Sequence, residues 1–193
     1  TGLGGETATG YVFGQDLGVD PQLTGMVRVG EPLPLSNETA VFATATADTG
    51  ITIGRGSFLD ASHNVTLNAN AYSKVELTTA TSGFGVTFGK SSPKAAIEIE
   101  EGSSIAAGNI FDTQALATNL VNVITFVPGA GESSEISLSL ASANVSSEVT
   151  MHQGASLDAG SVSFLARNEN SFSNTAVATG YGTKSGEDTN YGI

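Results

Sequence analysis

The stretch EVTMHQGASLDAGSVSFLA, residues 148–166, decides the fold because its outline occurs twice more along the chain. The other copies are GITIGRGSFLDASHNVTLNA, residues 50–69, and AIEIEEGSSIAAGNIF, residues 96–111. All three follow the pattern apolar-x-apolar-x-x-Gly-x-x-apolar-x-Ala. Such self-similarity over several tens of residues is typical of proteins in which one structural unit is stacked on the next.

The three copies align without gaps through their first half. Gly56, Gly102 and Gly154 are separated by 46 and then 52 residues. The other matched sets are Ile53, Ile99 and Met151; Leu59, Ile105 and Leu157; and Ala61, Ala107 and Ala159. In a stacked architecture equivalent side chains lie above one another, so we expect each set to form one column.

The local pattern predicts an all-β chain. Apolar residues alternate with polar ones in many short runs, whereas residues that favour helices are scarce and Thr, Ser, Gly and Asn interrupt any helical period. A sandwich or barrel would give no reason for matched columns, so we favour a parallel β-helix, or β-solenoid, with degenerate repeats of about 46–52 residues. At roughly 20–25 residues per coil, each repeat would make two coils and the chain eight or nine.

The chain is predicted to be a single solenoid segment, residues 1–193. Its sequence repeats are 50–94, 95–146 and 147–193. Residues 14–37 hold three of the five prolines and have a poor strand signal, which predicts an excursion or a cap over one end of the stack. The stretches 89–94 and 127–135 are expected to be shorter turns.

Composition excludes several classes of protein. The chain has 7 Lys and Arg against 19 Asp and Glu, a net charge of −12 that repels phosphate, so we expect no nucleic-acid partner. No run approaches the roughly 20 apolar residues of a membrane helix, and no membrane span is expected. Because the chain has no Cys, it has neither a disulfide framework nor a Cys-ligated metal.

The repeats resemble those of filamentous-haemagglutinin-like and related giant bacterial surface adhesins. The closest matches are Val149, Met151, Gly154, Ala155, Leu157, Ala159, Gly160, Val162, Phe164 and Ala166. The next are Ile97, Ile99, Gly102, Ile105, Ala107, Gly108 and Ile110, followed, with one inserted residue, by Ile51, Ile53, Gly56, Leu59, Ala61, Val65, Leu67 and Ala69. The resemblance covers about residues 38–183 and departs at 14–37. It implies a right-handed parallel β-helix, secretion, and a place in cell-surface filaments or adhesion.

No constellation of residues predicts catalysis, so we expect the chain not to be an enzyme and assign no catalytic, cofactor or metal residue. Asp60 and Asp158 share one repeat position, but the middle copy has Ala106 there, which interrupts the ladder that a polysaccharide-degrading site would need. His63 has no counterpart in the other copies. His152 follows Met151, which is expected to face inward, so His152 should face outward.

Three further patterns in the sequence bear on ligands or packing. Calcium is the one conceivable ligand, near Asp16 and Asp20 or Glu187 and Asp188, although no calcium-binding nonapeptide occurs; no cofactor is otherwise expected. An ice-binding array needs Thr on every coil, and the available ones, Thr44, Thr46, Thr79 and Thr81, do not recur in that way. Asn in NANAYS and NENSFSN could form internal amide ladders at turns.

The function expected from the sequence is therefore mechanical. The chain would be a structural or adhesive section of an extracellular or cell-surface bacterial protein that forms a rod or filament by coil stacking. Its partners would be itself or neighbouring repeats, end to end, and a cell-surface glycan or protein receptor. The alternatives are a polysaccharide-binding or polysaccharide-degrading β-helix, and an adhesin module that recognises its ligand through 14–37.

Overall fold

A computed structural model describes residues 2–13, 26–29, 38–80, 84–128, 136–179 and 191–192, with side-chain environments in 40–80, 84–127 and 136–178. These residues form strands and turns, and none of them lies in a helix that could cross a membrane. The strands are β1 (Gly2–Phe13), β2 (Met26–Val29), β3 (Glu38–Ile53), β4 (Phe58–Ala61), β5 (Asn64–Ala80), β6 (Phe84–Ile99), β7 (Ser104–Pro128), β8 (Ile136–Ala143), β9 (Ser146–Met151), β10 (Ser156–Thr179) and β11 (Tyr191–Gly192).

These strands build two sheets. The first sheet has the order β1-β3-β6-β8-β11, with β9 also paired to β6. The second has the order β10-β7-β5-β2, with β4 also paired to β7. From β3 onward the chain crosses between the sheets layer by layer, with β4 and β5 forming one layer of the second sheet and β8 and β9 one layer of the first. Successive layers of one sheet are therefore separated along the sequence by one layer of the other. The predicted all-β fold with parallel strands is confirmed.

The strand register reproduces the spacing of the repeated glycines. Glu38 pairs with Phe84 and Asn64 with Ile110, an interval of 46 residues in both sheets. Phe84 pairs with Ile136, an interval of 52 residues. One repeat therefore supplies one strand layer to each sheet, and the expected coil of 20–25 residues is wrong. The physical reason is strand length. Each layer has 16 to 25 residues in each sheet, so one layer in both sheets already uses the residues of a whole repeat.

Short segments that were predicted to be turns lie within long strands. Residues 89–94 were expected to form a turn, but they lie inside β6, which runs through Pro93 without a break. The interruption occurs in the neighbouring layer, where the gap between β8 and β9 lies beside Ser92 and Pro93 of β6. Proline has no amide hydrogen to donate to a neighbouring strand, which accounts for the gap. Most of 127–135 lies outside the described residues.

The amino-terminal end departs from the parallel pattern. β1 runs antiparallel to β3, with Gly2 beside Ile51 and Phe13 beside Ala40, so an all-parallel β-helix is wrong for this strand. Within 14–37, residues 26–29 form β2 and pair parallel with β5, where no strand was expected. The remainder of that segment, 14–25 and 30–37, lies outside the described residues.

The core lies between the two sheets, and one of its three apolar clusters contains the predicted columns. Leu59 and Leu157 each lie in register with Ile105, and all three pack in one apolar cluster. The same register joins Ile53, Ile99 and Met151, and Ala61, Ala107 and Ala159. The column prediction is confirmed. Met151 is nevertheless 36% exposed, because its layer is the last complete one in the described chain.

The repeated glycine is explained by the turn that joins the two sheets. Gly56, Gly102 and Gly154 have φ values of 68°, 70° and 83°, which other residues adopt only at a cost in free energy. In the first turn the Ser57 amide donates to the Gly54 carbonyl at 3.1 Å. The turns also stack, since the Gly56 amide donates to the carbonyl of Glu101 in the next layer at 3.3 Å.

Candidate functional site

The stacked turns form the first surface feature that could carry function. They surround an open cavity of about 570 Å³, which is lined by Arg55, Glu98, Glu100, Glu101, His152 and Gln153. Arg55 sits in the earliest turn, the glutamates in or beside the middle one, and His152 in the last. Side chains of both charge signs are thus brought together from three layers.

Hydrogen bonds and ion pairs cross the layers in this cavity. The Arg55 guanidinium donates to the Glu101 carboxylate at 2.8 Å, and its backbone amide donates to the Glu100 carboxylate at 2.6 Å. His152 Nε2 lies 2.7 Å from the Glu98 carboxylate. These side chains are largely exposed, and such pairs contribute only about 0–1 kcal/mol. The cluster fastens turns to one another at the surface.

The second feature contains the two aspartates singled out in the sequence. Asp60 and Asp158 each lie in register with Ala106, one on either side of it. They line an open cavity of about 340 Å³ together with small residues such as Gly108 and Gly160. Two strand spacings separate the aspartate backbones by roughly 9–10 Å. The expected interruption of the carboxylate ladder by Ala106 is confirmed.

The other sequence candidates are dispersed. His63 is exposed, with Nδ1 3.1 Å from the Ser62 hydroxyl, and His152 is exposed as expected. Among the described residues no group of three or more Asp, Glu or His side chains could hold a metal ion. The aspartates and glutamate considered for calcium, 16, 20, 187 and 188, lie outside the described residues. Thr79 is buried, so it cannot belong to an exposed threonine array, and Thr81 is not among the described residues.

The outer face of the first sheet carries apolar side chains near the start of its strands. Phe84 lies in register with Ile136, and these side chains are 41% and 40% exposed. Beside them Phe42 and Phe88 are in register on neighbouring strands, with their rings tilted by 42° and centroids 6.3 Å apart, and Leu140 of the next strand continues that row. This outer surface is more apolar than the rest of the sheet, which carries Lys, Ser and Glu.

The third feature is the outer edge of β10. Within the described residues β10 is the terminal strand of the second sheet, and no strand pairs along its far side. Val162, Phe164 and Phe172 continue the columns of Phe111, Thr113 and Val121. The β7 side chains are at most 1% exposed, whereas the three in β10 are 46% to 49% exposed. A long strand edge with uncovered apolar side chains is a template for pairing with another strand.

Polar side chains between the sheets form a column that ends at β10. Ser73, Asn119 and Asn170 form one column, in which the Asn119 amide group donates to the Asn170 side-chain carbonyl. Asn174 donates to the Ser139 carbonyl at 3.0 Å. Internal amide contacts therefore occur, but within strands and not at turns as expected. In NANAYS the expectation is wrong, because Asn68 and Asn70 are exposed.

Comparisons with protein-family models, curated proteins and solved structures find no match to this chain. The likeness to adhesin repeats accordingly rests on the residue pattern.

Sequence reasoning missed the residues that the fold brings together at the turns and along β10. Arg55 and Glu101 are separated by one repeat interval of 46 residues, which was a usable signal once the repeats had been aligned. Arg167 and Glu169, an exposed pair in the middle of β10, gave no such signal.

Proposed function

We propose that this chain is a structural or adhesive section of an extracellular bacterial β-solenoid protein. It winds between two sheets, and its layers stack so that the protein is lengthened by end-to-end contact. The resemblance to surface-adhesin repeats supports a right-handed coil, secretion and a cell-surface location. The partner at an end is a neighbouring repeat or another copy of the chain, and a cell-surface glycan or protein is the receptor.

The observation that carries the proposal is the continuity of the interior columns. Leu59, Ile105 and Leu157 occupy three successive layers at intervals equal to the sequence repeat. The same register can continue through any number of layers, because each repeat contacts only its neighbours. At about 4.8 Å per layer the described stack is short, so length has to come from the addition of further layers.

The experiment is sedimentation velocity of the purified chain over a wide concentration range, with electron microscopy of the same samples. Assembly is expected to lengthen the particles along the stacking axis while their width, set by strand length, stays constant. Fibre diffraction from aligned assemblies should give a reflection near 4.8 Å along that axis. A chain that remains a monomer at every concentration would rule out end-to-end contact.

The alternative function is binding or cleavage of polysaccharide at the cavity between Asp60 and Asp158. It is favoured by one observation, the pair of carboxylates on either side of Ala106 that line one cavity together with small residues. Incubation with neutral and anionic polysaccharides tests it. Turnover or binding that is lost in both Asp60→Asn and Asp158→Asn, and retained in Asp112→Asn on the same outer face, would favour this alternative over the structural proposal.

A further inference from the structure

We propose that one water molecule binds between the two sheets beside Pro93, where it donates hydrogen bonds to the side-chain carbonyl of Asn119 and to the backbone carbonyl of Asn144. The inference is independent of how copies of the chain assemble. It is carried by two acceptors, one in each sheet, that lack a donor for separate reasons, and by the register that brings them to the same part of the interior.

The first acceptor is the side-chain carbonyl of Asn119 in β7. Asn119 is 1% exposed, and its amide group donates to the Asn170 side chain. Its carbonyl oxygen is buried and accepts no hydrogen bond from any described residue. In folded proteins a buried polar atom almost always has a partner, which is either protein or ordered water. Asn119 therefore needs a donor that the described chain does not supply.

The preceding layer shows how the protein itself satisfies an acceptor at this position. Asn119 continues the column of Ser73, and Ser73 accepts a hydrogen bond of 2.7 Å from Ser91 of the first sheet. Ser91 is in register with Ala143 of the next layer. Because alanine has no hydroxyl, the donor that Ser73 receives is missing beside Asn119. The two columns face each other, so Asn119 faces the part of the first sheet that contains Ala143.

The second acceptor is the backbone carbonyl of Asn144, the residue after Ala143. The Asn144 amide donates to the Ser91 carbonyl at 2.9 Å, as in a parallel ladder. The next bond of such a ladder runs from the amide of residue 93 to the Asn144 carbonyl. Residue 93 is proline, which has no amide hydrogen. The Asn144 carbonyl therefore loses its donor at the gap between β8 and β9.

The register is the same on both sides of this gap. Ser91 pairs with Ala143 and Lys94 with Ser146, an interval of 52 residues in each case. The strands thus pass Pro93 without a bulge, although one ladder bond is missing. A donor that replaces this bond would account for the unchanged register.

One water can serve both acceptors. The Pro93 side chain is buried and faces the interior, so the space next to it lies between the sheets. A water has two hydrogens to donate, and buried waters typically have two to four protein partners. Bound to Asn119 and Asn144, the water connects β7 with the interruption in the first sheet and takes the place of the bond that proline removes.

High-resolution crystal structures test the site directly. In the unaltered chain we expect density for a water within hydrogen-bond distance of both Asn119 Oδ1 and the Asn144 carbonyl oxygen. Asn119→Leu keeps the approximate size of the side chain but removes its polar atoms, so this water should be lost. Ser92→Ala, on the outer face beside Pro93, is the matched control and should retain it. An unaltered chain without the water, or a water that persists in Asn119→Leu, would overturn the proposal.

A double-mutant cycle tests whether the two acceptors share one donor. Pro93→Ala supplies the missing amide hydrogen, so it should release the water from the Asn144 carbonyl. Asn119→Leu acts on the same water, and the two changes should therefore affect the free energy of unfolding non-additively. The effect of proline on the unfolded chain is the same in both backgrounds and cancels in the cycle.

The control cycle combines Asn119→Leu with Ser92→Ala, whose effects should add. Urea denaturation measures all the variants. Additive effects in both cycles would mean that Asn119 and Asn144 have separate donors, which would overturn the shared water. Coupling in the Pro93 cycle alone, together with the expected density, supports it.

Discussion

The side-chain hydroxyl of Ser91, in the first sheet, donates to the hydroxyl of Ser73, in the second, at 2.7 Å in the buried interior. Ser73 in turn donates to the Ala45 carbonyl at 3.1 Å. This chain of hydrogen bonds lies between two apolar clusters, one around Val75 and one around Ala71. It couples the sheets at a polar point where apolar packing is interrupted.

Ser91→Ala is expected to lower the free energy of unfolding by about 1 kcal/mol, because one buried hydrogen bond is lost while Ser73 keeps its bond to Ala45. Urea denaturation followed by circular dichroism measures the change. Ser92→Ala, on the opposite face of the same strand, is the control and should change the free energy by less than about 0.5 kcal/mol. Equal effects would show that the buried bond contributes nothing.

Gly56→Ala is expected to destabilise the protein by about 1–2 kcal/mol through its positive φ alone. Its added methyl group meets no atom within 4 Å, so crowding makes no contribution. Gly54→Ala in the same turn is the matched control, because its methyl group makes only ordinary contacts and its φ is not in the left-handed region. Thermal unfolding of the two variants should differ, and matching melting temperatures would refute the turn argument.

Gly89→Ala is expected to cost about 1–3 kcal/mol by overpacking the interior. Its methyl carbon would lie 2.6 Å from a methyl group of Val123 and 3.1 Å from one of Val75. Val123→Ala removes the closest contact, so the double variant should be less destabilised than the two single changes added together. Additive losses in a denaturation cycle would mean that the sheets move apart to accommodate the methyl group.

Ile105→Ala is expected to cost about 2–5 kcal/mol, since the side chain is 1% exposed and lies between two layers. Leu157→Ala changes the same column in the terminal layer, where the side chain is only partly buried, and should cost clearly less. Urea denaturation at low protein concentration compares them. A larger loss for Leu157→Ala would contradict the prediction that the layer of Ile105 is better buried than the layer of Leu157.

The repeats could be aligned from the sequence because stacking demands similar side chains at equivalent positions. Leu59, Ile105 and Leu157 were therefore found together, as were the three turn glycines. The size of a layer could not be found in this way, because a strand continues through Pro93 or Ser91 wherever a neighbouring strand supplies hydrogen-bond partners. Local sequence does not contain that information.

Among the surface residues, too, some features could be predicted from the sequence and others could not. Asp60 and Asp158 could be assigned to one repeat position, and they do flank Ala106. The exposure of Phe164 and Phe172 could not be deduced, since nothing local distinguishes the outermost described strand of a sheet from an inner one. Edge status depends on which strand is last in the sheet.

By itself the sequence determined the β character of the chain, the interval between equivalent residues, and the identity of the residues that share a column. Each follows from side-chain chemistry that recurs in every repeat. Only the tertiary structure decided that one repeat makes one layer in two sheets and that β1 runs antiparallel to β3. These properties depend on hydrogen bonds between strands distant in sequence, and such pairing is not encoded in any single stretch.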